Sequence, residues 1–516
     1  MWFTSLPAHP TSARKRPGRR VRPNSHPTSR FVPLLERLEG RALPSTITVL
    51  NNHDTGQGSL REAIGLAQSG DTIDFDPGLA GQTITLTSGE LGIDHSLDIE
   101  GLGARRLTVS GNDSSRVFDV TAAATVTISG LTIAHGLAVD GGAIANFGAD
   151  LTLADTMLAH NHTQGDPAGD ARGGGIFNDS AATLHVRDSL FTDNEARGGD
   201  GGMGGVGWGG GLYNEGDADV TDSTFRDNVA LGGQGSIGGD GIGGGIVNRN
   251  NGVLSLSDSM FSQNRAVGAV RSGAGTYPIN GGGVSGGLQN DSAVATVSHC
   301  VFTHNVARGG TGVVGVAGGA ATAGAISTGS VLFGAALTVT HSTMVDNQAL
   351  GAHGGQGADG GLAAGGAVAN TALSDFPTLF TLDHDTIADN QALGGDGTDG
   401  GNGGVARGGG IRNSGASAAL VVMHCTINDN EARGGMGGIG GDGQGGGFFI
   451  ISGQASLDHS VITHNQAVGG AGTDAGSDGQ GVGGGVYIGA AADVSISHSR
   501  IRHNRASTSD DDLFQG

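Results

Sequence analysis

The chain has 516 residues, 102 of them glycine, with 4% aromatic and 15% charged residues. The glycine follows no Gly-X-Y period, which excludes collagen, and no apolar run reaches the ~20 residues of a membrane-spanning helix. Residues 1–42 hold nine of the 27 Lys and Arg and two of the 49 Asp and Glu, so 18 basic face 47 acidic residues in the remainder, a body that repels nucleic acid and anionic membrane.

Residues 1–45 read as a disordered basic head, rich in Pro, Arg, Ser and Thr over 1–29 and without a secretory apolar run. Residues 31–45 (FVPLLERLEGRALPS) resemble the Leu-Glu-x-Leu-Glu-x-Arg-x-Leu-Leu-Ser segment that opens large surface proteins of planctomycete-type bacteria. The resemblance implies export by a targeting signal that hydropathy misses. Residues 46–71 form an N-terminal cap. Ile47–Leu50 suits a strand, and Ser59 with Glu62 makes a capping box for a short helix whose Leu60, Ala63, Ile64 and Ala67 share one face. Such a helix closes the open end of a coil stack.

From residue 72 the strands are short and close. From about residue 141 a repeat with glycine-rich insertions takes over and runs to residue 506. Its register is anchored by Asn161, Asn194, Asn228, Asn264, Asn305, Asn347, Asn390, Asn430, Asn465 and Asn504, at intervals of 33–43 residues. Three residues before each anchor lies a large apolar side chain such as Phe191 or Ile427, and eight before it another such as Val186 or Leu457. The residues flanking that second position are mostly polar, the alternation of a strand. Two such strands plus a Gly-Gly-apolar-x-Asn segment make one turn of a three-sided coil whose apolar face is completed by its neighbours. The expected fold is all-β, a parallel β-helix with a short N-terminal capping helix, followed by a disordered tail over 507–516. A propeller is disfavoured by the presence of only two Trp.

The pairing of Gly-Gly-apolar-x-Asn with Phe-x-x-Asn (Phe191 to Asn194, Phe225 to Asn228, Phe261 to Asn264, Phe302 to Asn305) resembles the repeats of polymorphic outer membrane proteins, and more broadly right-handed parallel β-helix surface proteins. The Ser59-Leu60-Arg61-Glu62-Ala63 segment resembles one that precedes many such β-helices, with Gly58 where a Cys is often found. The resemblance implies a right-handed coil and an extracellular or cell-surface location.

Chemistry is harder to place. The anchor Asn residues, and an earlier column including Asn146, Asn178, Asn214 and Asn248, read as structural amide ladders. No copy stands out as catalytic, and the body has no Lys, the only one being Lys15. Gly-Gly-x-Gly-x-Asp matches ending at Asp359, Asp399 and Asp474 suggest Ca²⁺ as the one cofactor to consider, although they lie farther apart than in calcium-binding repeats. The column six before each anchor changes from Asp155, Asp188, Asp222 and Asp258 to His299, His341, His384, His424, His459 and His498. Its central members His341, His384 and His424 are candidate ligands of a transition metal, and stacked imidazoles should cost stability as pH falls from about 7 toward 5. Cys300 and Cys425 share a column of small residues and should be free thiols.

These features suggest a non-enzymatic, adhesin-like scaffold displaying glycine loops along one edge. It would meet extracellular polysaccharide or cell-surface components, with no nucleic acid and no integral membrane segment. The alternative is a polysaccharide-acting enzyme, lyase or glycoside hydrolase, or a carbohydrate-binding module. Clustering of Asp, Arg and aromatic side chains in one groove would favour that alternative.

Overall fold

The computed structural model describes residues 44–121, 123–271, 280–373, 375–473 and 476–516. The basic head with its targeting segment falls on residues 1–43, outside the described residues, and so does Asp474. The described chain is a right-handed parallel β-helix whose named strand pairs are all parallel and join equivalent residues of successive turns, as in Ile176↔Leu212, Phe177↔Tyr213 and Asn178↔Asn214.

One turn shows the plan. Ile176–Asn178 forms a first face, Thr183–Arg187 a second and Leu190–Thr192 a third. Inward side chains of these faces build one continuous core; Ile176, Leu184 and Phe191 are all fully buried. Phe191, Phe225, Phe261 and Phe302 stack along it with centroids 4.3–4.8 Å apart. The third face runs through thirteen strands, about 60 Å at ~4.8 Å per step.

Both ends of the third-face strand turn through left-handed backbone. The residue six before each anchor Asn, from Asp155 to His498, has φ of 47–59°, and the residue just before the anchor, from His160 to His503, has φ of 55–58°. Asp, His and Asn tolerate this region best among residues with a Cβ. Apart from Gln263, these columns hold only Asp and His, and either side chain meets the backbone requirement.

The triangle closes where the anchor Asn meets glycine. A Cβ on Gly410 would lie 3.2 Å from Asn430 Cγ, and one on Gly447 would lie 3.2 Å from Asn465 Cγ. Each anchor amide is satisfied three ways. Asn194, for example, donates from Nδ2 to Asn228 Oδ1 and to Leu158 O, both at 2.9 Å, and its Oδ1 accepts from Asn161 Nδ2 at 2.9 Å. The ladder ends on Asp512, whose Oδ1 accepts from Asn504 Nδ2 at 2.9 Å. The second column behaves likewise, with Asn146 Nδ2 donating to Asn178 Oδ1 at 2.9 Å and Asn178 Nδ2 to Asn214 Oδ1 at 2.7 Å.

Two expectations are corrected. The glycine-rich insertions, expected as loops displayed along one edge, are regular stacked arms. Each leaves the triangle through a short strand such as Glu195–Arg197 and returns through another such as Gly207–Trp208, adding stacks of eleven and nine strands. The two legs pack against each other around alanines, among them Ala307, Ala321, Ala349 and Ala363. Gly199 donates its N–H to Gly169 O, Gly205 to Gly199 O, Gly233 to Gly205 O and Gly239 to Gly233 O, and the relay continues from leg to leg as far as Gly479, with bonds of 2.8–3.1 Å. Glycine holds most links because the legs approach closely; a Cβ on Gly199 would lie 1.8 Å from Asp166 O, and only Ala269 and Ala352 bring a side chain into the relay. Acidic residues near the tips bind the next arm: Asp200 Oδ1 accepts from Gln234 N at 2.7 Å and Asp396 Oδ1 from Met436 N at 2.8 Å. The second correction concerns the C-terminus. Leu513–Gln515 is a strand paired with Val486–Ser497, and Asp512 caps the Asn ladder, so 507–516 is ordered by backbone pairing that its polar composition conceals.

The N-terminal cap has the expected form. Helix Leu60–Leu66 buries Leu60, Ala63 and Ile64, with Ser59 Oγ accepting from Glu62 N. Among the described residues no helix is long and apolar enough to cross a membrane.

Candidate functional site

A concave corner runs along the molecule where each returning glycine leg meets the first face. The chain turns there at left-handed glycines, such as Gly173, Gly209 and Gly243 at φ 64°. The residue before each turn and the outward residue of the next strand therefore point into one groove. Arg172 and Phe177 do so in one turn, Trp208 and Tyr213 in the next.

These side chains form a single cluster. The Arg172 guanidinium lies 5.1 Å from the Phe177 ring centroid and 5.9 Å from that of Tyr213. Its Nε and Nη2 each donate to Asp140 at 2.8 Å. Trp208 packs edge-on against Tyr213, with centroids 6.5 Å apart, and carries the Arg249 guanidinium 4.0 Å from its ring centroid. Arg249 also pairs with Asp291 at 3.1 Å. Trp208 Nε1 donates to Asp170 at 3.2 Å and Tyr213 OH to Glu215 at 2.8 Å. The cluster borders a cleft of 400 Å³, also lined by Asn250 and Leu332.

Electrostatics fix these roles. Burial, together with the neighbouring Glu215 carboxylate, pushes the Tyr213 phenol well above its ordinary value, so it remains a hydrogen-bond donor. Burial works against the charge of Arg172, but the Asp140 carboxylate outweighs it and holds the guanidinium above its usual range. The two acids lining the cleft are engaged: Asp170 accepts from Val206 N as well as Trp208, and Glu215 accepts from Asn250 Nδ2 as well as Tyr213. They orient aromatic side chains and are not poised as an acid and base pair.

Six turns along the same corner lies a second cluster. Strand register carries Arg172 through Trp208, Ile242, Val284, Thr322 and Ala364 to Arg407, about 29 Å at ~4.8 Å per turn. Arg407 sits 5.4 Å from the Phe449 ring centroid, and Phe449 stacks on Tyr487 at 5.0 Å. Arg407 bonds to the neutral Gln444 and Arg412 to the neutral Thr371. Burial, and then the nearby Arg407, push Arg412 down to about 10. A larger cleft of 690 Å³ beside the glycine arms offers Arg308, Arg433, His353 and Asp396 but no aromatic surface.

At the turn between the second and third faces the six histidines expected in one column do stack, with successive ring centroids 4.5–5.4 Å apart from His299 to His498. Asp383 Oδ1 lies 2.9 Å from His384 Nδ1 and 3.0 Å from His424 Nδ1. Asp458 engages its pair through both oxygens, with Oδ2 2.8 Å from His459 Nδ1 and Oδ1 3.0 Å from His498 Nδ1. His341 stacks on His384 at 4.9 Å but lies outside both groups. Of the calcium candidates, Asp359 Oδ1 accepts from Asn402 N at 2.6 Å, and Asp399 sits in a left-handed turn at φ 46°. Among the described residues neither joins a cluster of three His, Cys or acidic groups.

Reading the sequence did not single out Arg172, Trp208, Tyr213, Arg249, Arg412, Asp383 or Asp458 for a site. Asp383 and Asp458 were detectable in principle, since each directly precedes a His of the ladder. The aromatic cluster carries no such signal, because its members are brought together only by register.

No protein-family profile and no curated protein matches the chain. Among solved structures it is similar to the periplasmic alginate epimerase AlgG, seen in two mutant forms at 11% identity over 83% of this chain and 77% of that one, with TM-scores of 0.27 and 0.26. It is also similar to tailspike protein 3 of bacteriophage CBA120, at 10% identity over 88% of this chain and 57% of that one, with a TM-score of 0.32.

Proposed function

We propose that the protein is a non-enzymatic, extracellular or cell-surface β-helix that binds polysaccharide lengthwise in the corner between the returning glycine legs and the first face. One observation carries this reading: Arg172, Arg249, Trp208 and Tyr213 converge on the 400 Å³ cleft, with their polar atoms oriented by Asp140, Asp291, Asp170 and Glu215 respectively. Trp208 and Tyr213 are 8% and 2% exposed and form the wall behind the cleft, so contact with a sugar falls to the guanidinium groups, whose remaining donors suit its hydroxyl or carboxylate oxygens. Arg407 and Arg412, whose hydrogen-bond partners here are neutral, favour an anionic polymer such as a polyuronate. The engaged state of Asp170 and Glu215 supports binding over cleavage. This gives up free loop display as the working principle and keeps the surface role.

Affinity electrophoresis in gels containing polygalacturonate, alginate or a neutral glucan tests the proposal. The native chain should be retarded by the polyuronates, and Trp208→Ala or Arg412→Gln should weaken retardation at least about tenfold while the chain still melts cooperatively. Equal migration with and without every polymer would sink the reading. Release of unsaturated or reducing ends over hours would turn it toward an enzyme.

A further inference from the structure

We propose that Asp383 with His384 and His424, and Asp458 with His459 and His498, are two equivalent sites for a divalent transition-metal ion such as Zn²⁺. In each site the ion joins two adjacent turns of the helix. The argument rests on geometry that occurs twice. Within each group the ligand atoms lie within 4.8 Å of one another, and the carboxylate-to-imidazole distances are 2.9 and 3.0 Å in one and 2.8 and 3.0 Å in the other. Two ligands on a tetrahedral ion with bonds of about 2.1 Å stand about 3.4 Å apart, so an ion can replace the imidazole protons now directed at the carboxylate once these distances open by about half an ångström. The ladder is drawn into pairs at these carboxylates: His384 and His424 are 4.6 Å apart and His459 and His498 are 4.5 Å apart, whereas the step between the pairs, from His424 to His459, is 5.4 Å. Two nitrogen donors and one carboxylate suit Zn²⁺, Ni²⁺ or Cu²⁺ better than Ca²⁺. The side chains of His384 and His424 are 49% and 46% exposed, which leaves the remaining coordination positions open to water.

Left-handed φ at all four histidines makes Asn the suitable replacement. In equilibrium dialysis of the full chain against Zn²⁺ at about pH 7.5, the native protein should bind two equivalents. His384→Asn with His424→Asn should remove one, His459→Asn with His498→Asn the other, and His341→Asn neither. Fewer than one equivalent at about 100 μM free ion, or two equivalents retained when all four histidines are replaced, would overturn the proposal. A measurement on unmutated protein guards against a folding defect: the electron paramagnetic resonance spectrum of bound Cu²⁺ should carry splitting from two nitrogens per ion, and a spectrum without nitrogen splitting would overturn it as well.

Discussion

Asp385 lies between Ser342 and Cys425 in a buried column of otherwise uncharged residues. Its Oδ1 accepts the Ser342 N–H at 2.7 Å, and its own N–H points at Cys425 Sγ at 3.4 Å. Other turns place Ser189, Ser223 or Ser259 at this point, each donating its hydroxyl to the backbone carbonyl two residues earlier. A carboxyl group fits the column when it is neutral.

Burial, opposed only in part by backbone donors, pushes Asp385 up to about 7. Because the folded value lies above the ~3.9 of the unfolded chain, its contribution to stability is complete below about pH 4 and is lost as pH rises through 7. The loss should be on the order of 4 kcal/mol. In EDTA-containing buffer, Asp385→Ser should melt higher than the native chain at pH 8 and should lose that advantage at pH 4. Equal differences at both pH values would show that Asp385 is not ionising inside the fold.

The same linkage runs in the opposite direction at the two carboxylates beside the histidine ladder. Hydrogen bonds from Ser497, His459 and His498 hold the Asp458 carboxyl well below the usual carboxylate range. Asp383 is also lowered; its partial burial opposes ionisation, and the hydrogen bonds and charges of His424 and His384 prevail. The depressed carboxyls contribute stability above their unfolded value and lose it as pH falls below about 4. Asp383→Asn with Asp458→Asn should therefore narrow the stability difference between pH 7 and pH 3 relative to the native chain, as read from urea midpoints; an unchanged difference would remove the carboxylates from the account.

An interior break in the Asn ladder should be costly. Replacing Asn347 by Leu removes the acceptor that Asn305 uses for both its N–H and its Nδ2, each at 3.0 Å, in a region closed to water. Leaving two buried donors unpaired should cost about 3–5 kcal/mol, whereas Asn504→Ala, at the 6% exposed end of the ladder, should cost less. Chemical denaturation midpoints of the two variants test the order.

Glycine in the arms should divide into two kinds. A Cβ on Gly395 would stand 1.9 Å from Ala352 O, whereas one on Gly202 meets nothing within 4 Å. Gly395→Ala should destabilise by at least about 2 kcal/mol and Gly202→Ala by less than about 0.5 kcal/mol. Equal melting temperatures would mean that the arms are looser than their packing indicates.

Cys300 and Cys425 are both buried and free, and strand register places them three turns apart. Burial pushes their thiols up to about 11 and about 12. Neither should react with a thiol reagent in the native state at neutral pH, and both should react after unfolding without a reductant.

The sequence alone was sufficient for the coil, its three faces, the amide ladders and the histidine column. Each of these depends on a residue meeting its own counterpart one turn away, so a regular interval from Asn161 to Asn504 already states the contact. It was not sufficient for the arms, the groove or the grouping of the histidines. Whether Gly199 hangs free or bonds to Gly169 depends on how two legs of an insertion fold back on each other, and glycine composition is the same in both cases. Arg249 reaches Trp208 because the returning legs and the first face meet in a concave corner, and no periodicity encodes that angle. Asp383 draws His384 and His424 together through a side chain that points outward from the end of its strand, a choice made by local turn geometry. Contacts between like residues are fixed by spacing along the chain; contacts between unlike residues are fixed by the path of the backbone between them, which only the folded molecule specifies.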